Sequence, residues 1–100
     1  EISVESLKKR IALGKNGYRI IDVRNTAEVE KEGSIPNAVN IDLDVLRDNL
    51  SSFTPEEEVI VYCAKGLRGY LAAMVLMNSG IEKISNLGGG YKAWRALADN

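Results

Sequence analysis

The sequence predicts an α/β fold in which a mostly parallel sheet carries helices on both faces. Short β-branched and apolar runs, strongest at residues 18–23 and 59–63, alternate with segments whose apolar residues recur at helical spacing. Strands that alternate with helices are joined by crossovers, which lay them side by side in parallel. The length of 100 residues, 45% of them hydrophobic and 27% charged, suits one compact domain over residues 1–100.

Each element has its own signal. Ser3 is placed to cap a first helix, with Glu5 in its first turn and Val4, Leu7 and Ile11 on one face. Gly14 closes that helix and Gly17 continues the turn. Residues 18–23 (YRIIDV) read as a short buried strand. Thr26 caps a short helix that runs to Glu32 and stops at Gly33. Residues 38–41 form a brief second strand, with Pro36 marking a turn before it. From Asp42 to Leu50, acids alternate with Leu43, Leu46 and Leu50, a helical pattern with acids toward its positive end. The polar connector 51–58 follows, and Glu56 to Glu58 read as a solvated acidic turn.

Residues 59–63 (VIVYC) make the strongest strand. The next helix, from about 68 to 78, is apolar on nearly every side and is therefore expected to be deeply buried. Gly80 ends it. Residues 83–87 are a fourth strand, and Gly88 to Gly90 a turn that packs closely near the site. Residues 91–98 form a last helix whose Tyr91 and Trp94 belong to the core.

Several functions are argued against by composition. With 13 basic and 14 acidic residues the net charge is -1, which gives no pull toward nucleic acid. The longest apolar run, 71–77, is too short to span a membrane, and neither terminus has a targeting pattern. A first residue of Glu rather than Met fits excision from a longer chain. The absence of histidine excludes Ser-His-Asp triads, Cys-His dyads and imidazole metal sites within the chain. One cysteine, Cys63, allows neither an internal disulfide nor a CxxC pair. A free thiol without a disulfide scaffold points to a reducing, cytoplasmic setting.

Attention therefore falls on Cys63-Ala64-Lys65-Gly66-Leu67-Arg68, where a strand ends and a helix begins within six residues. In sheets of this type ligands bind beyond the carboxyl ends of the strands. Gly66 permits a conformation that a Cβ would hinder. A curled loop aims successive N–H groups inward as an anion nest, and the positive helix end points the same way. Lys65 and Arg68 add full charges, so the loop favours the nucleophilic thiolate. The plainer alternative is a small buried hydrophobe, since free cysteines are commonly inert. Lys65 is read as the charge that attracts an anionic donor, and Arg68 as a residue that orders the loop. Asp22 is expected to support the loop by accepting backbone or Arg68 hydrogen bonds, and Arg24 to form a structural ion pair, for instance with Glu28. Gly88 to Gly90 is not a phosphate loop, because no GK[ST] follows.

The same residues carry a resemblance. Cys63-x-x-Gly66-x-Arg68 closing a strand resembles the active-site loop of rhodanese domains. Ile21-Asp22-Val23-Arg24, then Glu28, then residues 33–41 (GSIPNAVNI) are similar to that family's first signature, and residues 86–94 (NLGGGYKAW) to its terminal GG-x-x-x-W segment. Ser34 and Asn37 stand where many members have His and Gly. Residues 66–73 (GLRGYLAA) further resemble the rhodanese domain fused to coenzyme A disulfide reductase-type flavoproteins.

The resemblance implies a three-layer sandwich and a ping-pong sulfurtransferase. Cys63 would carry sulfane sulfur as a persulfide, cradled by amides of the loop through Arg68. A small donor such as thiosulfate or a persulfide would load it, and cyanide, a small thiol, coenzyme A or a neighbouring domain's cysteine would accept. No metal or bound cofactor is implied for this domain. FAD, NAD(P)H and coenzyme A would belong to a fused or neighbouring flavoprotein disulfide reductase. A non-catalytic binding module attached to a redox enzyme ranks second, because degenerate members usually lose the cysteine. Phosphatases of the Cdc25 type share the fold but place five residues between Cys and Arg; here only Ala64, Lys65, Gly66 and Leu67 intervene.

Overall fold

Four parallel strands, in the order β2-β1-β3-β4, form the centre of the molecule: β1 (Tyr18–Asp22), β2 (Val39–Asn40), β3 (Glu58–Tyr62) and β4 (Lys83–Asn86). A computed structural model describes residues 1–14 and 17–98. The middle of the turn between Gly14 and Gly17, and the last two residues of the expected 1–100 domain, lie outside the described residues. β1 and β3 are the inner strands, paired from Tyr18 with Glu58 to Asp22 with Tyr62.

Both inner strands are apolar along their length because each faces two cores. Successive side chains on a strand point to opposite faces. Ile21, Val59 and Val61 accordingly pack with Leu46, Phe53, Ala72 and Leu76 on one side. Ile20, Ile60 and Tyr62 pack with Val4, Leu7, Tyr91 and Trp94 on the other. The first core is covered by α3 (Leu67–Asn78) and a 3₁₀ helix (Leu43–Ser52), the second by α1 (Val4–Ala12) and α4 (Gly90–Ala98). The expected α/β sandwich is the observed one. Ser3 caps α1 as expected, accepting a hydrogen bond from the Ser6 amide.

Four expectations need correction. The cap of α2 (Thr26–Glu32) is Asn25, not Thr26: its side chain accepts from the Glu28 amide, and Glu28 returns the bond to the Asn25 amide. Residues 43–52 wind as a 3₁₀ helix, along which Asp, Asn and Ser side chains bond the local backbone: Asp42 with Asp44, Asn49 with Val45 and Ser52 with Asn49. The acids near residue 58 are not simply solvated, since Glu57 pairs with Arg19 and Glu58 with Arg10. The depth of α3 is the largest departure. Only Gly69, Ala72 and Leu76 are buried, while Tyr70, Leu71, Met74 and Met77 are exposed. A helix on the outside of a three-layer fold buries one stripe whatever its other faces carry.

Candidate active site

The carboxyl ends of β1, β3 and β4 meet three helix starts, and Cys63 lies at that junction, 1% exposed, one residue beyond β3. The chain turns at Gly66, whose φ of +131° is open to glycine and rarely to other residues. This turn brings the Gly66 N–H to 3.0 Å from the Cys63 Sγ. It also opens α3, where the Gly66 carbonyl accepts from Tyr70. The first-turn amides of Leu67, Arg68 and Gly69 have no acceptor among the described residues. A helix start without a capping side chain thus stands beside the sulfur, with no acid in its first turn.

Two devices hold the loop from below. Tyr91 and Lys92, at the start of α4, donate their amides to the Cys63 and Ala64 carbonyls at 2.7 and 3.0 Å. The approach requires glycine at residue 90, where a Cβ would stand 2.5 Å from the Cys63 carbonyl oxygen. This bears out the close packing expected of the glycine turn. From β4, Asn86 Nδ2 donates to the Gly66 carbonyl at 3.0 Å. Asn86 Oδ1 is buried without a hydrogen-bond partner among the described residues and lies against Gly69, where any Cβ would collide with it.

Arginines hold the flanks. Arg68 donates both guanidinium arms to Glu28, at 2.6 and 2.9 Å, tying the first turn of α3 to that of α2. Those bonds, opposed by partial burial, hold the Glu28 carboxyl down to about 2. Arg24 is fully buried and grips Asp22 through Nε and Nη2, the latter at 2.6 Å. It also donates to the Gly33 carbonyl at 2.7 Å and lies 4.2 Å over the Tyr91 ring. Burial works against the Arg24 charge, yet the Asp22 carboxylate more than offsets it and holds the guanidinium above its ordinary pKa. Burial likewise pushes the Tyr62 hydroxyl up; its oxygen accepts from the Ile35 amide.

The sequence-derived site residues divide into three groups. Cys63, Gly66 and Arg68 are brought together, with Arg68 tied to Glu28 at the start of α2, while the Leu67 side chain is exposed. Lys65 is exposed and, with half-buried Ala64, lines a neighbouring cleft. Asp22 and Arg24 lie beneath: Asp22 accepts a backbone bond from the Arg24 amide and none from Arg68, and Arg24 forms a structural ion pair, with Asp22 and Glu32 in place of Glu28. Asn86 was without a role in the sequence reading, and only its place at a strand end marks it. The Glu28 role had a signal in the Asn25-x-x-Glu28 capping spacing.

Among the described residues, no group of three or more His, Cys, Asp or Glu side chains is arranged to hold a metal, and no helix is long and apolar enough to cross a membrane. The pattern that defines the rhodanese-like domain matches residues 3–97. The chain belongs to the rhodanese-like domain family. A sulfurtransferase of Allochromatium vinosum is 34% identical over 94 residues, spanning 94% of this chain and 86% of that protein. The structure of a rhodanese-like domain protein from Staphylococcus aureus is 36% identical with a TM-score of 0.85, covering 93% of this chain and 88% of that one. The reduced Bacillus anthracis CoADR-RHD has the same TM-score at 33% identity, covering 98% of this chain and 17% of that one. Placed in this family, the chain has the rhodanese-like parallel sheet, and relatives named as sulfurtransferases.

Proposed function

We propose that this rhodanese-like domain is a sulfurtransferase in which Cys63 carries sulfane sulfur between a donor and a thiophilic acceptor. The observation that carries the reading is the cradle itself: the sulfur at a strand end, a Gly66 amide 3.0 Å away, and the uncapped start of α3 beside it. An amide bonded to the sulfur and an uncapped helix start beside it can stabilise a sulfur anion without any histidine. With thiosulfate as donor, the Cys63 thiolate attacks the outer sulfur, the sulfur–sulfur bond of thiosulfate breaks, and sulfite leaves with the bonding pair. Cys63 is left as a persulfide anion, stabilised by the same amide and helix start. Cyanide then takes the outer sulfur as thiocyanate and returns the thiolate. Charge balances in both steps, and no external oxidant or reductant enters. The names of relatives as sulfurtransferases support this reading.

Four residues between Cys63 and Arg68 make a tighter loop than a phosphatase of this fold uses, which favours one sulfur over a tetrahedral phosphate. The test is an intact-protein mass spectrum taken before and after thiosulfate, then after cyanide. One added sulfur, released as thiocyanate and absent from Cys63→Ser, is the expected result. Loading that survives Cys63→Ser, or no loading by thiosulfate or small persulfides, overturns the reading.

A further inference from the structure

Two local costs meet at one contact, between Asn86 at the end of β4 and Gly69 inside α3. The first is the Asn86 Oδ1 atom, buried with no hydrogen-bond partner among the described residues. A buried amide oxygen left unpaired is destabilising, and an apolar side chain of the same shape would avoid it. The second is a glycine in a helix interior, which weakens the helix. Gly69 does not have the positive φ that Gly66 has, so its backbone does not call for glycine. Only space does, because any Cβ there would collide with Asn86 Oδ1.

What both costs preserve is the bond from Asn86 Nδ2 to the Gly66 carbonyl, 3.0 Å long. Gly66 is the residue whose N–H meets the Cys63 Sγ at 3.0 Å, and a glycine turns easily about its own Cα unless the peptides beside it are held. On the amino side, the Lys92 amide holds the Ala64 carbonyl at 3.0 Å. On the carboxyl side, the Gly66 carbonyl accepts from the Tyr70 amide, a bond that travels with α3. Asn86 instead refers Gly66 to the sheet. Its residue pairs in register with Val61 of β3, two residues before Cys63, and its carbonyl accepts from Ile2 at 3.0 Å. The sulfur and the N–H that meets it are thereby held in one frame.

We infer that Asn86 is a positioning residue for sulfur transfer: through the Gly66 carbonyl it keeps the Gly66 N–H on the Cys63 sulfur, and the missing side chain at residue 69 is the space it needs. This rests on the sulfur-carrier reading and names what aligns its site.

Asn86→Leu nearly keeps the shape and removes the donor without adding charge. Asp22, Arg24, Glu28, Lys65, Arg68 and Lys92, the charged groups at this end of the sheet, stay as they are. Two rates are followed across pH. Alkylation of Cys63 by iodoacetamide reports its thiolate whether or not sulfur is ever carried, and mass spectra report loading by thiosulfate. In Asn86→Leu the alkylation profile should move up by about one pH unit, and loading at neutral pH should slow by about tenfold, because an amide bonded to a thiolate favours that form. The urea midpoint should hold or rise, since the unpaired oxygen is gone. A residue that serves only the fold would do the reverse, lowering the midpoint and leaving the profile in place.

Gly69→Ala attacks the same contact from the other side and decides the matter if Asn86→Leu does not fold. It should reproduce the upward move where Asn86 is present and add nothing to Asn86→Ala, which has room for the new methyl. An equal move on the Asn86→Ala background would overturn the link between residue 69 and Asn86. If the parent protein loads and both single variants load at its rate with unmoved profiles, the positioning role falls and the carrier reading stands. If the parent never loads but the alkylation profile moves in both, the positioning of the Cys63 thiolate stands and the carrier reading falls.

Discussion

Two arginine–carboxylate pairs bracket the Cys63 loop with nearly the same geometry and opposite surroundings. Arg24 and Asp22 approach to 2.6 Å with both side chains fully buried. Arg68 and Glu28 also approach to 2.6 Å, but their side chains are 36% and 27% exposed. The first pair is a floor. It fixes the carboxyl end of β1, the Gly33 carbonyl and the Tyr91 ring in one cluster, and Tyr91 in turn donates to the Cys63 carbonyl. The second pair is a latch between two helix starts, open to water. Identical chemistry is therefore worth different amounts: an exposed pair contributes little, while a buried one is costly to break because its survivor is stranded.

The largest expected effect comes from breaking the floor. Asp22→Asn leaves the Arg24 charge buried, with Glu32 at 3.3 Å as its remaining carboxylate. A loss of about 3–5 kcal/mol is expected in urea unfolding. Replacing both partners, as Asp22→Asn with Arg24→Met, should recover part of that loss because no charge is then stranded. A cost under about 1 kcal/mol for Asp22→Asn alone would show that water reaches the pair, and would erase the contrast with Arg68.

Next in size is the latch, whose effect should appear in rate and not in stability. Arg68→Ala removes both bonds to Glu28 and frees the first turn of α3, which follows directly on the Gly66 amide that meets the sulfur. Stability should change by no more than about 1 kcal/mol, since the pair is part-exposed and screened. Sulfur loading of Cys63 by thiosulfate should slow by about tenfold, because a small displacement of positioned groups is costly to a reacting geometry. Parallel urea curves and timed mass spectra on one preparation check both halves. A loading rate equal to the parent protein's would reduce Arg68 to a surface pair.

The same contrast explains what was legible in the sequence. Strands β1 and β3 and the Cys63 loop could be read because continuous β-branched apolar runs and the glycine at residue 66 are local signals. Partner choice was not local. Arg24 and Glu28 are four apart, a spacing that places side chains together only on a helix. Arg24 precedes α2 and its side chain runs beneath it to Asp22, leaving Glu28 to meet Arg68 across 40 residues. The exposure of α3 was hidden for a related reason: its composition says how apolar each face is, not which faces another layer covers. Asn86 was invisible as a support because its role depends on Gly66 and Gly69 arriving from a different element.

The smallest effect tests the latch by titration. Arg68 holds the Glu28 carboxyl at about 2 in the folded protein, against an ordinary value of 4.5. A depressed carboxylate contributes stability that is fully present above 4.5 and is lost as the pH falls through the window down to about 2. The parent protein should therefore exceed Glu28→Gln by about 0.5 kcal/mol or less near neutral pH, allowing for screening, and the two should converge across that acidic window. Glu58 is also held low by Arg10, but it is present in both proteins and cancels from the difference. A gap that stays constant into acid would mean that the difference between the two proteins does not come from the Glu28 charge, and that its pairing with Arg68 adds nothing to the fold.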